Sequence, residues 1–344
     1  MDYKDNSAAV MSMRVLHVVP QGSHGDASSG FTIRQIEGLK KAGVAGQLVF
    51  FRGAEMLLRP HQLPSQIATI RREIKNFQPD IVHAHWGSLL AFSTALASIG
   101  GPPLVISYRG SDINPVPSEV RLRGVIRIAC SQLAAIRASA IICVSEELRG
   151  RLWLRHKSVN VILDGTDLSL FHPIDKLDAR RQLKWPSNEP VIFFYEGERP
   201  DTKRRDLVDA SFKEIRKVLH QCRLEVMGSD VPRNRVPLLL NASDCLLMTS
   251  DFEGSPNIVR EALACNTPVV SVDVGDIRRW LMNLDGTRIV SRDPMEISKN
   301  VVDLISTGIR PSIGSRALQF SDEMSTNAVL SIYRQVLHGS SQDT

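Results

Sequence analysis

Short apolar runs alternate with amphipathic segments along most of the chain. The run "MRVLHVVP" (13–20) leads through a Gly/Ser loop into "FTIRQIEGLKKAG" (31–43), where Ile33, Ile36 and Leu39 recur at helical spacing. Gly43 is a natural stop for that helix, because glycine readily adopts the left-handed conformation. Further strand-like runs of the first half are "GQLVFF" (46–51), "DIVHAH" (80–85), "PLVISY" (103–108) and "AIICVS" (140–145).

Helical patterns separate these runs, and continuous apolar strands joined by helices are typical of a parallel sheet covered on both faces. The pattern starts afresh after "VNVILDGTDLSLFHP" (159–173). The predicted fold class is therefore α/β, with two doubly wound Rossmann-like domains that face each other across a cleft, and this cleft is the expected site. The strand-like runs of the second series are "PVIFFYEG" (190–197), "RLEVMGS" (223–229), "DCLLMTS" (244–250) and "TPVVSV" (267–272).

We predict an N-terminal domain over residues 13–168 and a C-terminal domain over residues 169–323. Residues 1–12 begin with "MDYKD", which resembles part of an epitope tag, and we expect a tag or a disordered leader there. A last helix is predicted near residues 325–337, within a C-terminal segment of residues 324–344. Its pattern assigns it to neither domain, and packing back on the N-terminal domain stays open.

Length and composition suit two domains. A chain of 344 residues, 43% hydrophobic and 23% charged, is typical of an ordinary globular protein with room for two cores. The five cysteines show no CxxC or Cys/His spacing, which argues against a disulfide framework or a zinc site and favours a reducing compartment. The longest apolar run, residues 89–99, is shorter than the ~20 residues that cross a bilayer. We expect a cytoplasmic protein without a zinc site.

The positive charge is concentrated in the first half of the chain. Up to Gly165 there are 19 Lys and Arg against 12 Asp and Glu, or +7, and the remainder carries 23 against 25, or −2. A basic half suggests an anionic partner or membrane surface, but a solvated basic face is the alternative. The segment "RLRGVIRIACSQLAAIR" (121–137) mixes arginine with apolar positions. It predicts either a helix lying against anionic lipid or an ordinary amphipathic helix covering the sheet.

Two loops could hold phosphate. "PQGSHGDASSGF" (20–31) follows the first strand and leads into a helix, but its spacing is not that of a dinucleotide fingerprint, so a simple connection is equally open. "YEGERPDTKRRDL" (195–207) places four cations beyond a strand's carboxyl end, where they either hold a diphosphate or form a solvated helix start. These four cations are Arg199, Lys203, Arg204 and Arg205.

The stretch "SDFEGSPNIVREALACNTPVVS" (250–271) carries two glutamates around a Ser-Pro pair. Ser255 suits an N-cap and Pro256 suits the first helical position, which predicts a helix from Pro256 to about Cys265. Glu253 then precedes the helix and Glu261 lies nearly two turns inside it. From spacing alone, an acid/base pair, ligands for a bound molecule and surface charge all stay open.

The same stretch resembles the signature of family 4 glycosyltransferases, which use nucleotide sugars and have the GT-B fold. The family pattern has two glutamates separated by seven residues, which Glu253 and Glu261 match. The resemblance covers roughly residues 13–338. Other segments that resemble the family, in the expected order, are "VHAHWG" (82–87), "SYRGSDI" (107–113), "CVSEELRGRL" (143–152), "ILDGTDLSLFHP" (162–173) and "NASDCLLMTS" (241–250).

The resemblance implies a role for each matching residue. Glu261 would accept hydrogen bonds from the ribose hydroxyls and Glu253 from the donor sugar, as ionised carboxylates can. Lys203, supported by Arg204, would neutralise the diphosphate leaving group, and Gly30 would approach the same group. The backbone expected near sugar and phosphate is that of Gly254, Ser255, Pro256, Asn257 and Ile258.

The sequence departs from the family pattern at three positions. Arg199 stands one place later than the family arginine that follows the glycine matching Gly197, and its phosphate role is a weaker expectation. Arg109 replaces the family histidine beside the donor sugar, which implies a substitute donor, an altered substrate or lost activity. Asp164 stands where the family has asparagine, as a tolerated turn substitution. The acceptor-side residues are expected to be Asp112 and His85, although a packed or positional role for His83 and His85 is the alternative.

The resemblance implies a retaining glycosyltransferase, most simply a hexosyltransferase, with a nucleoside diphosphate sugar as donor and no required cofactor or metal. The expected catalytic residues are Glu253, Lys203 and Arg109. The acceptor would be a sugar or a lipid-linked sugar, in surface polysaccharide or glycolipid synthesis, with peripheral contact at the inner face of the membrane and no nucleic-acid partner. The alternatives are a catalytically impaired nucleotide-sugar-binding protein of the same fold, and an inverting GT-B enzyme or epimerase.

Overall fold

The computed structural model describes residues 13–22, 30–52, 60–116, 119–153, 158–197, 200–228 and 230–340. The chain divides into two compact units. Unit 1 contains the described residues up to 115, those from 119 to 165, and the last helix from Asp322 onward. Unit 2 contains Val116 and the described residues from Thr166 to Ser321. Apart from Val116, the described chain crosses between the units at two places, after Gly165 and after Ser321.

Unit 1 is built on a six-stranded parallel sheet with strand order β2-β1-β3-β4-β5-β6. Its strands are β1 (Arg14–Pro20), β2 (Ala45–Phe51), β3 (Ile81–Ala84), β4 (Leu104–Tyr108), β5 (Ala140–Cys143) and β6 (Val159–Val161). Its helices are α1 (Gly30–Lys41), α2 (Leu63–Phe77), α3 (Ser88–Ala97), α4 (Arg121–Arg137), α5 (Glu146–Gly150) and, from the end of the chain, α13 (Asp322–Ser340).

Both faces of this sheet are covered by apolar side chains. Alternate strand residues point to opposite faces, so Val82 packs with residues of α2, α3 and α4, whereas Ile81 packs with residues of α1 and α13. The central strands β3, β4 and β5 are buried throughout, which explains their continuous apolar runs.

The last helix belongs to unit 1, where it lies beside α1. Gln35 donates to the Ser325 hydroxyl over 3.1 Å, and that hydroxyl donates to the Leu163 carbonyl over 2.7 Å. The two helices approach closely at Gly38, where an added Cβ would lie 2.5 Å from Oγ1 of Thr326. The helix thus completes the cover of the sheet.

Unit 2 is built on a five-stranded parallel sheet with strand order β11-β10-β9-β7-β8. Its strands are β7 (Val191–Gly197), β8 (Arg223–Gly228), β9 (Cys245–Met248), β10 (Val269–Val272) and β11 (Thr287–Val290). Its helices are α6 (Lys176–Leu183), α7 (Pro200–Lys203), α8 (Arg205–Val218), α9 (Val236–Ala242), α10 (Asn257–Ala264), α11 (Ile277–Leu281) and α12 (Pro294–Thr307).

The core of unit 2 packs α8 and α12 on one face of its sheet. Phe194 of β7 contributes to this core together with Val208 and Val301, while Phe193, which points to the other face, is equally buried. Two doubly wound α/β units are what the hydrophobic pattern predicted, and that fold class is confirmed. The sequence interpretation had not singled out β11, α9 or α12.

Candidate functional site

The carboxyl ends of β7 and β9 organise the candidate site of unit 2. At the end of β7 the chain turns at Gly197, whose φ of 60° favours glycine, and α7 then ends at Lys203. The Thr249 hydroxyl, just beyond β9, donates to the Lys203 carbonyl over 2.7 Å. The amide of Asp251 donates to the Thr202 carbonyl over 2.9 Å. These bonds fasten the end of α7 to the loop that carries Glu253.

Lys203 and Glu253 form an ion pair at this edge of the sheet. Their side chains are 16% and 15% exposed, so the pair is shielded and still reachable from solvent. The ammonium also lies 5.6 Å from the centre of the Tyr195 ring, within range of a cation–π contact. The structure therefore brings together the two residues expected to meet the donor's diphosphate and sugar.

Glu261 lies on α10 and is buried, with 5% of its surface exposed, so it is not a solvent-facing helix residue. Its Oε1 pairs with Nη2 of Arg233 over 2.9 Å. The Arg233 side chain is 40% exposed, and its guanidinium lies 4.9 Å from the centre of the Phe171 ring. Sequence reasoning missed Arg233. Its position just beyond β8, at the carboxyl end of a parallel strand, is the signal that could have found it.

The start of α10 differs from the prediction. Pro256 occupies the N-cap and the helix begins at Asn257, so Ser255 does not cap it. The Ser255 hydroxyl instead donates to Oδ2 of Asp276 over 2.8 Å and contacts the fully buried guanidinium of Arg260. A cap needs a free side-chain oxygen, and this hydroxyl is used by its tertiary partners.

The backbone of residues 254–258 is held from two sides. Arg260 also contacts the Asn257 side chain, and Asp276 accepts a further hydrogen bond from the Trp280 indole over 2.9 Å. Gly275, with φ of 59°, packs closely against this backbone. A side chain at this position would be crowded, because an added Cβ would lie 3.0 Å from the Gly254 carbonyl oxygen. The stretch expected to face sugar and phosphate is therefore a rigid element, and Ile258 on it is buried.

The remaining cations beyond β7 are engaged with acids. Arg204 bonds to Asp206 over 2.8 Å and to Asp251 over 3.1 Å, and these hydrogen bonds raise the pKa of its guanidinium. Arg205 pairs with Asp209 over 2.8 Å. Arg199 lies outside the described residues. Within the described part of this cluster, Lys203 is the cation paired with an expected sugar ligand, and the structure gives Arg204 a different set of partners.

In unit 1, Arg109 follows β4 and its side chain is buried, 3% exposed. It forms an ion pair with Asp164, and its guanidinium lies 4.5 Å from the centre of the Phe31 ring. Burial lowers the pKa of Arg109 to about 9. Two of the three departures from the family pattern are thus direct partners.

Asp112 is fully buried and organises the loop after β4. Its carboxylate accepts hydrogen bonds from the backbone amides of Gly110 over 2.8 Å, Gly87 over 3.0 Å and Arg109 over 3.0 Å. Burial raises the pKa of Asp112, and these backbone bonds oppose the rise. The structure therefore shows Asp112 shaping the backbone around Arg109.

His17, His83 and His85 form a buried cluster on one face of the sheet. Nδ1 of His17 lies 2.9 Å from Nε2 of His85, and the rings of His83 and His85 stack at 3.8 Å. His83 also bonds to the hydroxyls of Tyr333 over 2.6 Å and Ser107 over 2.8 Å. Burial lowers the pKa of all three imidazoles, that of His17 to about 3. The packed, neutral arrangement matches the positional alternative for His83 and His85.

The ligand nitrogens of these histidines lie within 4.8 Å of one another. Both ring nitrogens of His83 are already hydrogen-bonded, so a metal would have to displace Tyr333 or Ser107. Gly30, the first residue of α1, is exposed, and an added Cβ there would meet only Nη1 of Arg34, at 3.9 Å. Its approach to a ligand stays a prediction. In the described residues, no helix is long and apolar enough to cross a membrane.

Comparisons with known proteins agree with this architecture. The model described as "Glycosyltransferase Family 4" matches residues 31–170, and that described as "Glycosyl transferases group 1" matches residues 182–307. A Bacillus subtilis protein, provisionally named for a glycosyltransferase of teichuronic acid biosynthesis, is 24% identical over 69% of this chain and 65% of its own length. A D-inositol 3-phosphate glycosyltransferase of Xylanimonas cellulosilytica is 24% identical over 94% of this chain and 82% of its own length.

Solved structures share the fold. Sucrose-phosphate synthase from Thermosynechococcus elongatus has a TM-score of 0.75 at 16% identity, covering 95% of this chain and all of the other. The Anabaena protein HepE, solved in complex with UDP and glucose, has a TM-score of 0.67 at 18% identity, covering 94% of this chain and 99% of the other.

Proposed function

The chain belongs to the glycosyltransferases of family 4 and group 1, with the GT-B fold, and on this basis we propose that it is a retaining enzyme that transfers a sugar from a nucleoside diphosphate sugar to an acceptor. The observation that carries the proposal is the shielded Lys203–Glu253 pair, which lies in the same unit as the buried Glu261. Carboxylates suited to hydroxyls and an ammonium suited to a diphosphate are the groups that such a donor requires.

In this proposal, groups of the bound donor replace the side chains that now pair with Glu261, Lys203 and Glu253. The ribose hydroxyls bond to Glu261 and compete with Arg233, which is the more exposed partner of the ion pair. The diphosphate forms an ion pair with the Lys203 ammonium. The Glu253 carboxylate, which then no longer pairs with Lys203, accepts hydrogen bonds from the sugar hydroxyls. The N-terminus of α10 adds favourable partial positive charge near the anion.

The chemistry then rests on stabilising the departing nucleoside diphosphate. Lys203 and the start of α10 neutralise the negative charge that grows on the leaving oxygen, and preorganised charge of this kind is a major source of rate enhancement. We propose no protein nucleophile and no required metal or other cofactor. Retention of configuration is supported by the family membership.

The proposal extends to the donor base, the acceptor and the location. HepE was solved with UDP, so a UDP sugar, with a hexose as the sugar, is the first donor to test. We propose a sugar or lipid-linked acceptor in surface polysaccharide or glycolipid synthesis, and the name of the Bacillus relative, from teichuronic acid biosynthesis, supports the polysaccharide. All five cysteines are buried and unpaired, which supports the cytoplasmic side of the membrane.

A second candidate is a nucleotide-sugar-binding protein with impaired turnover. The observation that favours it is the ion pair that holds Arg109 to Asp164, where the family pattern has a histidine. The double variant Arg109→His/Asp164→Asn restores the family residues at both positions. Turnover by this variant, combined with none by the parent, would decide for impairment.

The test uses the full chain with UDP, GDP and ADP and their hexose derivatives. We expect one nucleotide to raise the melting temperature, since a ligand at 100 times its Kd adds about 2.7 kcal/mol. The matching sugar nucleotide should then be consumed with acceptor glycosides, and proton NMR of the product should show the anomeric configuration of the donor. An inverted product would overturn retention, and the absence of stabilisation by every nucleotide would overturn the donor site.

A further inference from the structure

Helix α4 of unit 1 is apolar on two opposite faces. One face carries Cys130, Ala134 and Ala135, which pack into the core beneath the sheet. The other face points to solvent and carries five large apolar side chains. They are Leu122, Val125, Ile126, Leu133 and Ile136, exposed by 68%, 58%, 39%, 51% and 57%. Packing on the sheet therefore accounts for only one of the two faces.

These five side chains form one continuous stripe. Successive members are three, one, seven and three residues apart, which places them within a sector of about 100° on one side of a helix with 3.6 residues per turn. From Leu122 to Ile136 the stripe is about 21 Å long. A contiguous exposed apolar surface of this kind marks an interaction site, whereas isolated exposed apolar residues are ordinary.

Trp153 extends the stripe at the side of the helix. The amide of Gln132 on α4 donates to the Arg151 carbonyl over 2.9 Å, and its oxygen accepts from the backbone amide of Trp153 over 2.9 Å. The backbone of Trp153 is thus held beside the second half of α4, and its side chain is 66% exposed. Tryptophan is enriched at membrane–water interfaces, because its ring is apolar and its indole N–H is polar.

Arginines flank the stripe on both sides. At 100° per residue, Arg121 lies on one side of it, whereas Arg123 and Arg137 lie on the other, and all three are exposed. The helix contains no acidic residue. Its remaining arginine, Arg127, lies on the buried side, where it pairs with Glu119 over 2.8 Å. The charge that borders the stripe is thus uniformly positive.

We propose that this α4 stripe, together with Trp153, inserts into the interface of an anionic bilayer and attaches unit 1 to the membrane surface. Apolar side chains would enter the boundary between headgroups and acyl chains, and the flanking arginines would reach the lipid phosphates. A second copy of the chain fits less well, because pairing two stripes would bring their arginine borders together. This attachment does not depend on the transfer reaction proposed for unit 2.

The experiment measures co-sedimentation of the full chain with vesicles of phosphatidylcholine alone and with 30% phosphatidylglycerol. We expect binding to the anionic vesicles that weakens as salt rises. The variant Leu133→Glu/Ile136→Glu should lower the partition coefficient roughly tenfold or more, since it removes two apolar contacts and adds two negative charges. Leu177→Glu is the matched control, because Leu177 on α6 is also 51% exposed.

A second variant and a spectroscopic signal distinguish a specific loss of membrane binding from misfolding of the first variant. Arg121→Glu/Arg123→Glu changes only exposed side chains and should also weaken binding to the anionic vesicles roughly tenfold or more. Vesicles should shift the tryptophan emission to shorter wavelength, and Trp153→Phe should remove most of that shift.

Equal binding by all variants, no binding by the parent, or self-association that Leu133→Glu/Ile136→Glu abolishes would each overturn the proposal. Nucleotide stabilisation of the same samples reports on unit 2 separately.

Discussion

Arg109 and Asp164, which lie 55 positions apart in the sequence, form an ion pair in unit 1. Taken singly, each is a departure from the residue that the family pattern has at that position. Together they are a charged pair in a place where either charge alone would be costly to bury. We infer that the two exchanges compensate for each other, which also explains how an arginine is accommodated beside the buried histidines.

Removing one member of this pair should destabilise unit 1. Arg109→Ala or Asp164→Ala leaves a buried charge unpaired, and we expect the free energy of unfolding to fall by about 3–5 kcal/mol in each case. The double variant should lose clearly less than the sum of the two. Urea denaturation of the parent, the two single variants and the double variant measures the coupling free energy between Arg109 and Asp164. The exposed pair Glu146–Arg149 is the control, with an expected coupling of only about 0.3–0.5 kcal/mol. Additive losses at Arg109 and Asp164 would contradict the coupling.

Glu261→Gln should weaken binding of the free nucleotide and of the sugar nucleotide equally. The carboxamide keeps the shape of the side chain but loses the charge-assisted hydrogen bonds, which are worth about 1.5–3 kcal/mol, so Kd should rise roughly tenfold to a hundredfold. Isothermal titration calorimetry with UDP and a UDP sugar measures both values. Glu214→Gln on α8 is the control, because Glu214 pairs with the exposed Lys217.

Glu253→Gln should discriminate between the same two ligands. Its carboxylate is expected to contact only the sugar, so affinity for the free nucleotide should change little while affinity for the sugar nucleotide falls about tenfold. Calorimetry on both ligands checks this split. A parallel loss for both would place Glu253 at the nucleotide and not at the sugar.

Lys203→Met should lower turnover more than binding. Methionine keeps the length and apolar contacts of the stem over Tyr195 but removes the charge that meets the leaving group. The lost stabilisation grows as the bond breaks, and we expect kcat to fall about 10²-fold to 10³-fold. Arg205→Met, at a cation engaged with Asp209, is the control and should leave kcat within about twofold. Equal losses in the two variants would contradict the role of Lys203.

The buried histidines should make stability depend on pH. Burial lowers the folded pKa of His17, His83 and His85 below the unfolded value of 6.5, so the folded state binds fewer protons than the unfolded state. Their stabilisation is complete above pH 6.5 and is lost as the pH falls, by up to about 1.4 kcal/mol per pH unit for each histidine.

Urea denaturation between pH 4.5 and 7.5 measures this slope. His17→Gln should reduce it by about one proton, or about 1.4 kcal/mol per pH unit, and substitution of the exposed His61 by Gln is the control. An unchanged slope in His17→Gln would show that His17 is not a neutral buried group.

The alternation of apolar runs and helices was enough to predict two parallel α/β units, because both strand burial and helix periodicity are local properties of the chain. The site was only partly accessible in this way. Glu253 and Glu261 stand out by spacing, but their partners Lys203 and Arg233 lie 50 and 28 positions away, and no local pattern joins them.

The wrong prediction at Ser255 has the same origin. Serine before proline is a favourable cap by local rules, but Asp276 and Arg260 use its hydroxyl. Tertiary contacts that compete with a local motif are invisible until the fold brings them together.

The return of the last helix to unit 1 makes unit 2 an insertion within unit 1. At the two crossings the chain segments are adjacent, since an added Cβ on Gly165 would lie 2.5 Å from Cα of Asp322, and Thr166 pairs with Ser321 in a β-bridge. During synthesis, residues 166–321 leave the ribosome as one continuous piece before unit 1 receives its final helix. Unit 2 can therefore complete its fold first, whereas unit 1 cannot complete its fold until its last helix has been synthesised.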